Sequence, residues 1–293
     1  MKFLIFGGNG LVGKSLQALL KSKGEEYFAT YRSNGSDNKL ICDISKLNDL
    51  EAAFQTSQPD IVINATNLAG GVNKCEFESE LAYNFHFTSN KHMADLANKY
   101  NAKFIMISTD YVFDGETPPY SEEDQTNPLN KYGEYKLEAE NYMINNSKDY
   151  IIARTTNVFG WDPLTKTPNY LMQLYFNLSE GKESNAPSFL SGNPTYVDDL
   201  TKAIVDLSMK NETGIFHVVG CSNINRYDWA VQFCELFNFN KELLNDIKTA
   251  PEGIVPRPLE SNLSYNKLES VLGYKLSSVE DGLKQFALEQ KKL

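Results

Sequence analysis

At 293 residues, with 41% hydrophobic and 23% charged residues, the chain can bury a large core and has an ordinary globular composition. A formal net charge of −10 argues against nucleic acid and anionic membranes as partners, though not against an anionic small molecule held by a local positive site. Arginine is scarce (Arg32, Arg154, Arg226 and Arg257), so each one carries weight as an anion contact. Four cysteines, Cys42, Cys75, Cys221 and Cys234, form no CxxC pair and read as reduced thiols rather than a disulfide framework or zinc site. No apolar run reaches the length of a membrane span, and the first one, Phe3 to Phe6, is strand-length and ends in glycines. A soluble cytoplasmic protein without a bound metal is expected.

Residues 2–6 predict a buried strand. Gly7-Gly8-Asn9-Gly10-Leu11-Val12-Gly13 follows and leads into an amphipathic helix through Leu16, Leu19 and Leu20. Glycines at 7, 10 and 13 permit a tight turn, close approach of backbone to a pyrophosphate, and close helix–strand packing. The helix N-terminus behind them offers unpaired N–H groups and a favourable dipole to phosphate. The second strand, near 27–31, ends at Arg32-Ser33, where a dinucleotide fold binding NAD commonly has an acidic residue for the ribose 2′-hydroxyl. Arginine there suits a 2′-phosphate, so NADP(H) is preferred and NAD(H) is the alternative.

Asp43 and Ile44 are placed to flank an adenine ring, or else serve as a helix cap and a core residue. A helix near 46–57 and a strand at 60–64 follow, and Asn64-Ala65-Thr66 leaves small polar residues where a cofactor would pass. A long helix is expected over 78–99, then a strand at 103–107, a helix from Tyr132 to about 146 and a strand at 150–154. Short apolar strands alternating with helices predict a doubly wound parallel α/β sheet, with right-handed crossovers placing all the strand ends on one rim. Beyond 160 the alternation breaks down, with helices near 169–180, 197–209, 226–237 and 279–290 and a strand at 214–219. Residues 1–160 and 195–219 are therefore expected to form a Rossmann-type cofactor domain. Residues 161–194 and 220–293 are expected to form a smaller, discontinuous, mostly helical substrate domain over its rim.

One stretch carries the chemistry. Ser108-Thr109-Asp110-Tyr111-Val112-Phe113-Asp114-Gly115 ends a strand, and Asn130-Lys131-Tyr132-Gly133-Glu134-Tyr135-Lys136 opens a helix. Tyr132 and Lys136, four apart, share one helical face and can converge with Thr109 on a carbonyl. An unperturbed tyrosine, with a pKa of about 10, is too weak an acid for easy service at neutral pH, and a neighbouring Lys⁺ stabilises the tyrosinate.

With Pro128-Leu129-Asn130, Asn169-Tyr170, Gly192-Asn193-Pro194-Thr195 and Pro256-Arg257-Pro258 added, the chain resembles the extended short-chain dehydrogenases/reductases, in particular their dTDP-4-dehydrorhamnose reductase branch. The resemblance implies Tyr132 as general acid and Lys136 as its partner and a nicotinamide-ribose contact. It implies Thr109 and Tyr111 against the substrate, Asn157 and Asn169 near the sugar, and Arg257 at its diphosphate. It makes Ser108 part of the cofactor side. A nucleotide-sugar is the implied substrate, and a homodimer the candidate assembly. Two positions depart from the branch: Asn157 stands where a tryptophan usually packs on the sugar, and Phe189-Leu190 replaces an Asp-Gln pair. Both leave the reaction type standing and the sugar open. The competing readings are a nucleotide-sugar epimerase that keeps its NAD, and a non-catalytic NADP-binding regulatory subunit like the beta subunit of methionine adenosyltransferase.

Overall fold

The computed structural model describes residues 1–32, 39–165 and 167–291. It begins with β1 (Lys2–Phe6), α1 (Leu11–Lys23), β2 (Glu26–Tyr31), β3 (Lys39–Ile41), α2 (Leu47–Ser57) and β4 (Ile61–Asn64). Next come α3 (Gly71–Phe77), α4 (Ser79–Tyr83), a π-helical turn (Asn84–Thr88), α5 (Ser89–Tyr100) and β5 (Lys103–Thr109). A 3₁₀ turn (Asp110–Val112) leads to α6 (Lys131–Asn146), β6 (Tyr150–Thr155) and β7 (Val158–Phe159). Then follow α7 (Tyr170–Ser179), β8 (Ser184–Pro187), β9 (Ser191–Gly192), β10 (Thr195–Tyr196), α8 (Val197–Met209) and β11 (Gly214–His217). The chain closes through β12 (Ile224–Asn225), α9 (Arg226–Phe237), β13 (Leu244–Ile247), β14 (Glu260–Ser261), α10 (Asn266–Leu272) and α11 (Val279–Gln290).

Seven parallel strands form the main sheet in the order β3-β2-β1-β4-β5-β6-β11. Both faces are covered, which is why these strands read as continuous apolar runs. Alternate residues choose the face. Ile5, Ile63, Ile105 and Ile151 pack with Leu16 and Leu20 of α1 and Leu200 and Ile204 of α8. Leu4, Val62, Phe104 and Ile152 pack on the other side with Phe54 of α2, Met93 of α5 and Met143 of α6. Each such burial is worth roughly 1.5–3 kcal/mol. The strand order reverses between β1 and β4, so the loops after these two strands part and open a crevice at their carboxyl ends.

The expected doubly wound fold is present, with local corrections. The helix expected over 78–99 is interrupted by the π turn at Asn84–Thr88, whose extra residue per turn leaves no mark in apolar spacing. Helices α3 and α10 were not anticipated; each has seven residues, too few to establish a 3.6-residue period. The strand expected at 214–219 stops at His217. Segments 161–194 and 220–293 are not purely helical: β13 pairs with β8, and β9 lies between β12 and β14. These strands of two to four residues are too short to alternate visibly. Around them Phe159, Trp229, Phe233 and Phe286 build a separate aromatic cluster.

Candidate active site

The crevice at the reversal point holds a cleft of about 440 Å³ lined by Gly7, Asn9, Gly10, Arg32, Asp43, Ile44, Ala65 and Thr66 among others. Its floor depends on glycine. Gly7 adopts φ +94°, and a Cβ on Gly13 would stand 2.1 Å from the Gly7 carbonyl oxygen. Gly10 caps α1 without a side-chain hydrogen bond, and the first turn carries no acidic residue. The N–H groups there are open to an anion. Tyr31 and Gln17 brace the loop: Tyr31 Oη donates to Gln17 Oε1 at 2.7 Å, and Gln17 Nε2 donates to the Gly8 carbonyl at 2.8 Å. Neither brace was anticipated, since contacts across a turn leave no periodic trace in sequence.

The other expected cofactor residues divide. Leu11 and Val12 lie in the first turn of α1, with Val12 packed against the core. Asn64 is buried; it donates to Asn90 at 2.8 Å and accepts from Thr66 Oγ1 at 2.7 Å, fixing the loop wall rather than lining it. Arg32 is exposed at the cleft edge and acts electrostatically on Asp43, whose pKa is lowered chiefly by its hydrogen bond from Ser45. Ser33 lies outside the described residues. Ser108 is buried and donates to Glu140 Oε1 at 2.5 Å.

Of the trio from β5 and α6, Thr109 and Tyr132 meet, and Lys136 lies one turn further along α6. Asn130 caps α6, its Oδ1 accepting from Gly133 N at 3.0 Å, while its amide donates to the Pro256 carbonyl at 2.8 Å. Gly133 lets the first turn of α6 lie against Tyr111, because a Cβ would stand 2.2 Å from the Tyr111 carbonyl oxygen. Tyr132 consequently sits half-buried, edge-on to Tyr111 with ring centroids 5.7 Å apart and beside the Thr109 hydroxyl. Burial drives its phenol pKa up, only partly offset by the hydrogen bond from Thr109. The group is thus fully protonated at neutral pH, the state a proton donor requires. Desolvation, rather than the Lys136 charge expected to act on it, dominates the Tyr132 phenol. Lys136 is itself buried, and its Nζ donates to the Ile107 carbonyl at 2.8 Å. Burial lowers its pKa to about 8, against the opposing pull of Glu140.

Several partners were not foreseen. Asp110 is buried, accepting from Thr109 Oγ1 at 3.0 Å and from Thr156 Oγ1 at 2.9 Å; burial raises its pKa, and these bonds together with Ser261 oppose the rise. His86, carried by the π turn, packs edge-on to the Tyr132 ring at 5.1 Å and touches Cys75 Sγ at 3.6 Å. Glu140 pairs with Arg154 at 2.7 Å in full burial. The one available signal was an acidic residue inside a buried run, Ser-Thr-Asp-Tyr.

A second groove, of about 710 Å³, runs past Asp114, Leu129, Phe189, Val255 and Arg257. Tyr111 borders the trio; burial raises its pKa, and Arg226 and Arg257 both pull it down. Asn157 takes a left-handed conformation, φ +45°, and its Oδ1 accepts from Arg226 at 2.8 Å. Asn169 caps α7 and donates to the Gly160 carbonyl at 2.8 Å, so its amide is occupied at both ends. Among the described residues no group of His, Cys, Asp and Glu is arranged to hold a metal, and no helix is long and apolar enough to cross a membrane.

Residues 1–291 match the family described as the RmlD substrate binding domain. The chain belongs to this family. It is 30% identical over 270 residues to the spore coat polysaccharide biosynthesis protein SpsK of Bacillus subtilis, covering 92% of this chain and 90% of that one. It is 26% identical to the methionine adenosyltransferase 2 subunit beta of Xenopus tropicalis, covering 92% of this chain and 81% of that one. Among solved structures, it superposes on the dTDP-4-dehydrorhamnose reductase of Bacillus anthracis in complex with NADP, with TM-score 0.87 and 26% identity, covering 98% and 99% of the two chains. The family suggested by the motifs at 108–115 and 128–136 is the family found.

Proposed function

We propose that the chain is an NADPH-dependent reductase of the 4-keto group of a nucleotide-linked 6-deoxyhexose, of the dTDP-4-dehydrorhamnose type, serving deoxysugar or polysaccharide biosynthesis. The observation that supports this reading is the Thr109 hydroxyl beside the Tyr132 phenol, with Lys136 one turn further along α6, in a chain whose β1–α1 loop forms a dinucleotide-type cleft. Gly7, Asn9, Gly10, Arg32, Asp43, Ile44, Ala65 and Thr66 would hold the dinucleotide; the glycine cradle and the open N-terminus of α1 fit a pyrophosphate, and Arg32 a 2′-phosphate. When bound, NADPH supplies the hydride.

The protein's share is the proton. Tyr132 presents its hydroxyl to the carbonyl oxygen, and Thr109, whose one hydroxyl hydrogen goes to Asp110 here, would turn it to the same oxygen when the ketone binds. Tyr132 then donates its phenolic proton to the oxygen as negative charge develops. The Lys136 ammonium, one turn further along α6, would stabilise the tyrosinate left in place. Thr109 is oriented by Asp110, and Asp110 by Thr156. Phe189 and residues from 250 to 260, together with Asp114, Gly115, Glu116 and Leu129, line the groove that would hold the nucleotide-sugar, with Arg257 toward its diphosphate.

Tyr132→Phe removes the proton and leaves the ring packing. With a dTDP-4-keto-6-deoxyhexose, NADPH oxidation followed at 340 nm should fall by about 10²–10⁴-fold, roughly 3–5 kcal/mol of barrier. Near-normal turnover in this variant would refute the assignment. The likeness to the methionine adenosyltransferase beta subunit supports a second reading, a regulatory NADP-binding subunit. Wild-type protein that binds NADPH but oxidises none across a panel of 4-keto sugars would favour it.

A further inference from the structure

A threonine hydroxyl has one hydrogen to give and two lone pairs to fill. In Thr109 the hydrogen goes to Asp110 Oδ1 at 3.0 Å, and the Tyr111 backbone N–H fills one lone pair at 3.2 Å. A ketone that takes this hydrogen leaves the Thr109 oxygen facing a carboxyl oxygen 3.0 Å away. If that carboxyl is ionised, two bare acceptors confront each other in a buried place, and each goes unsatisfied.

The surroundings of Asp110 decide how this conflict is resolved. The residue is 3% exposed, and the Thr156 hydroxyl donates to its Oδ2 at 2.9 Å. Ser261 stands beside the carboxyl but spends its hydroxyl hydrogen on the Ser191 carbonyl at 3.2 Å. The partners of Asp110 are hydroxyls and its own backbone, and no ion pair reaches it among the described residues. Thr109 at the end of β5, Thr156 after β6 and Ser261 in β14 bring no charge. The titratable groups facing it are two phenols, Tyr111 on its own turn and Tyr132 on α6, while Arg226 and Arg257 act on Tyr111. Burial accordingly raises the carboxyl pKa against the pull of the three hydroxyls. Diverting the Thr109 hydrogen removes one donor that favours the charged form and raises it further. A proton on Oδ1 satisfies every partner. Asp110 then donates to Thr109, Thr156 still donates to Oδ2, and Thr109, with both lone pairs filled, has its own hydrogen for the ketone.

We infer that Asp110 takes up a proton when the ketone binds and donates it to the Thr109 oxygen, freeing the Thr109 hydrogen for the ketone. Asp110 is thus a positioning residue that works as a neutral acid. Its proton comes from solvent on binding and returns as the alcohol leaves, separate from the one Tyr132 transfers. The inference rests on the ketone-reductase reading and deepens it. Linkage sets the sign: where free Asp110 is ionised, binding consumes a proton, so KM rises by up to about tenfold per pH unit as pH increases.

The test is calorimetric titration at pH 8 of protein loaded with NADP⁺, which cannot reduce an added dTDP-4-keto-6-deoxyhexose. Heats compared in two buffers of different ionisation enthalpy count the protons taken up. Wild type should take up about one proton more than Asp110→Asn, which retains Lys136 and whose amide donates to Thr109 at any pH. Asp110→Asn should keep kcat within about tenfold of wild type, and its KM should not rise with pH. Thr109→Ala keeps the carboxyl but removes the hydroxyl it serves, so the uptake should vanish there too. An unchanged melting temperature establishes that each variant is folded, and Thr109→Ala carries the test if Asp110→Asn is not. Equal uptake in wild type and the folded variants, or a larger fall of kcat in Asp110→Asn, overturns the inference while the reductase reading stands. Wild type that reduces no 4-keto sugar sinks the underlying reading as well.

Discussion

At the scale of single residues the site is governed by desolvation. Burial raises Tyr132 and lowers Lys136, so each is pushed toward its neutral form, and the consequences differ. For the phenol, neutral is the working state. For the amine it is the idle one, because only the ammonium can stabilise tyrosinate. With Lys136 titrating at about 8, the charged fraction is nearly complete at pH 6.5 and falls through half at about 8. The sign follows directly: deprotonation on the alkaline side removes the cation, so turnover should decline as pH rises through about 8 and be level below it. Lys136→Met removes the titrating group, so its low residual activity should lack that alkaline limb. The pH profile of kcat from 6 to 9.5, compared for the two proteins, checks this. A limb that persists unchanged in Lys136→Met would assign it to another group.

Elements position these residues through close backbone contacts rather than side-chain bulk. Helix α6 reaches β5 because residue 133 has no Cβ and because Asn130 caps its first turn. Gly133→Ala would place a methyl 2.2 Å from a backbone oxygen of the 3₁₀ turn, which a flexible side chain cannot relieve. The first turn must lift away, carrying Tyr132 from Thr109. The expected outcome is a loss of turnover approaching that of Tyr132→Phe, since a misplacement of about 1 Å can cost 10²-fold. NADPH affinity should change little because the glycine cradle is untouched. Turnover and NADPH titration on the same preparation test this, and a variant with wild-type kcat would show that the turn yields without cost.

The same distinction explains what sequence could reveal. The strands expected at 2–6, 60–64 and 103–107 were legible because apolar runs report burial on both faces. Thr109, Tyr132 and Lys136 were legible because i,i+4 spacing and a strand end fix directions. Asp110, His86, Glu140 and Arg226 were not. Their roles arise from partners 46, 46, 14 and 69 positions away (Thr156, Tyr132, Arg154 and Asn157), and distant pairing has no period to read. Asn169 illustrates the converse: the motif suggested a sugar contact, while local geometry commits its amide to capping α7.

For the whole molecule, the dinucleotide-type cleft is assembled from many separate pieces of chain. Its lining comes from the loop after β1, the end of β2, residues 42–45, the loop after β4, and Lys74, Leu81 and Phe85 from the helices beyond. Cross-links join distant stretches of the chain. Lys14 in α1 pairs with Asp162 at 2.8 Å, Ser15 donates to Asp198 at 2.5 Å, and Asn130 holds the Pro256 carbonyl. A ligand in this cleft therefore braces elements distributed over the whole chain, and the melting transition should shift as one unit. At a hundred times its Kd a ligand adds about 2.7 kcal/mol. At roughly 2 °C per kcal/mol for a chain of this size, that raises the melting temperature by about 5 °C. NADPH should produce this shift at concentrations where NADH gives less, and Arg32→Ala should narrow the difference between them by weakening NADPH alone. Differential scanning calorimetry with each cofactor decides the matter. Equal shifts with NADH and NADPH in the wild type would remove Arg32 from the phosphate role. A second transition left unmoved by NADPH would show that the substrate-side segments unfold apart from the cradle, in spite of the Lys14–Asp162 pair.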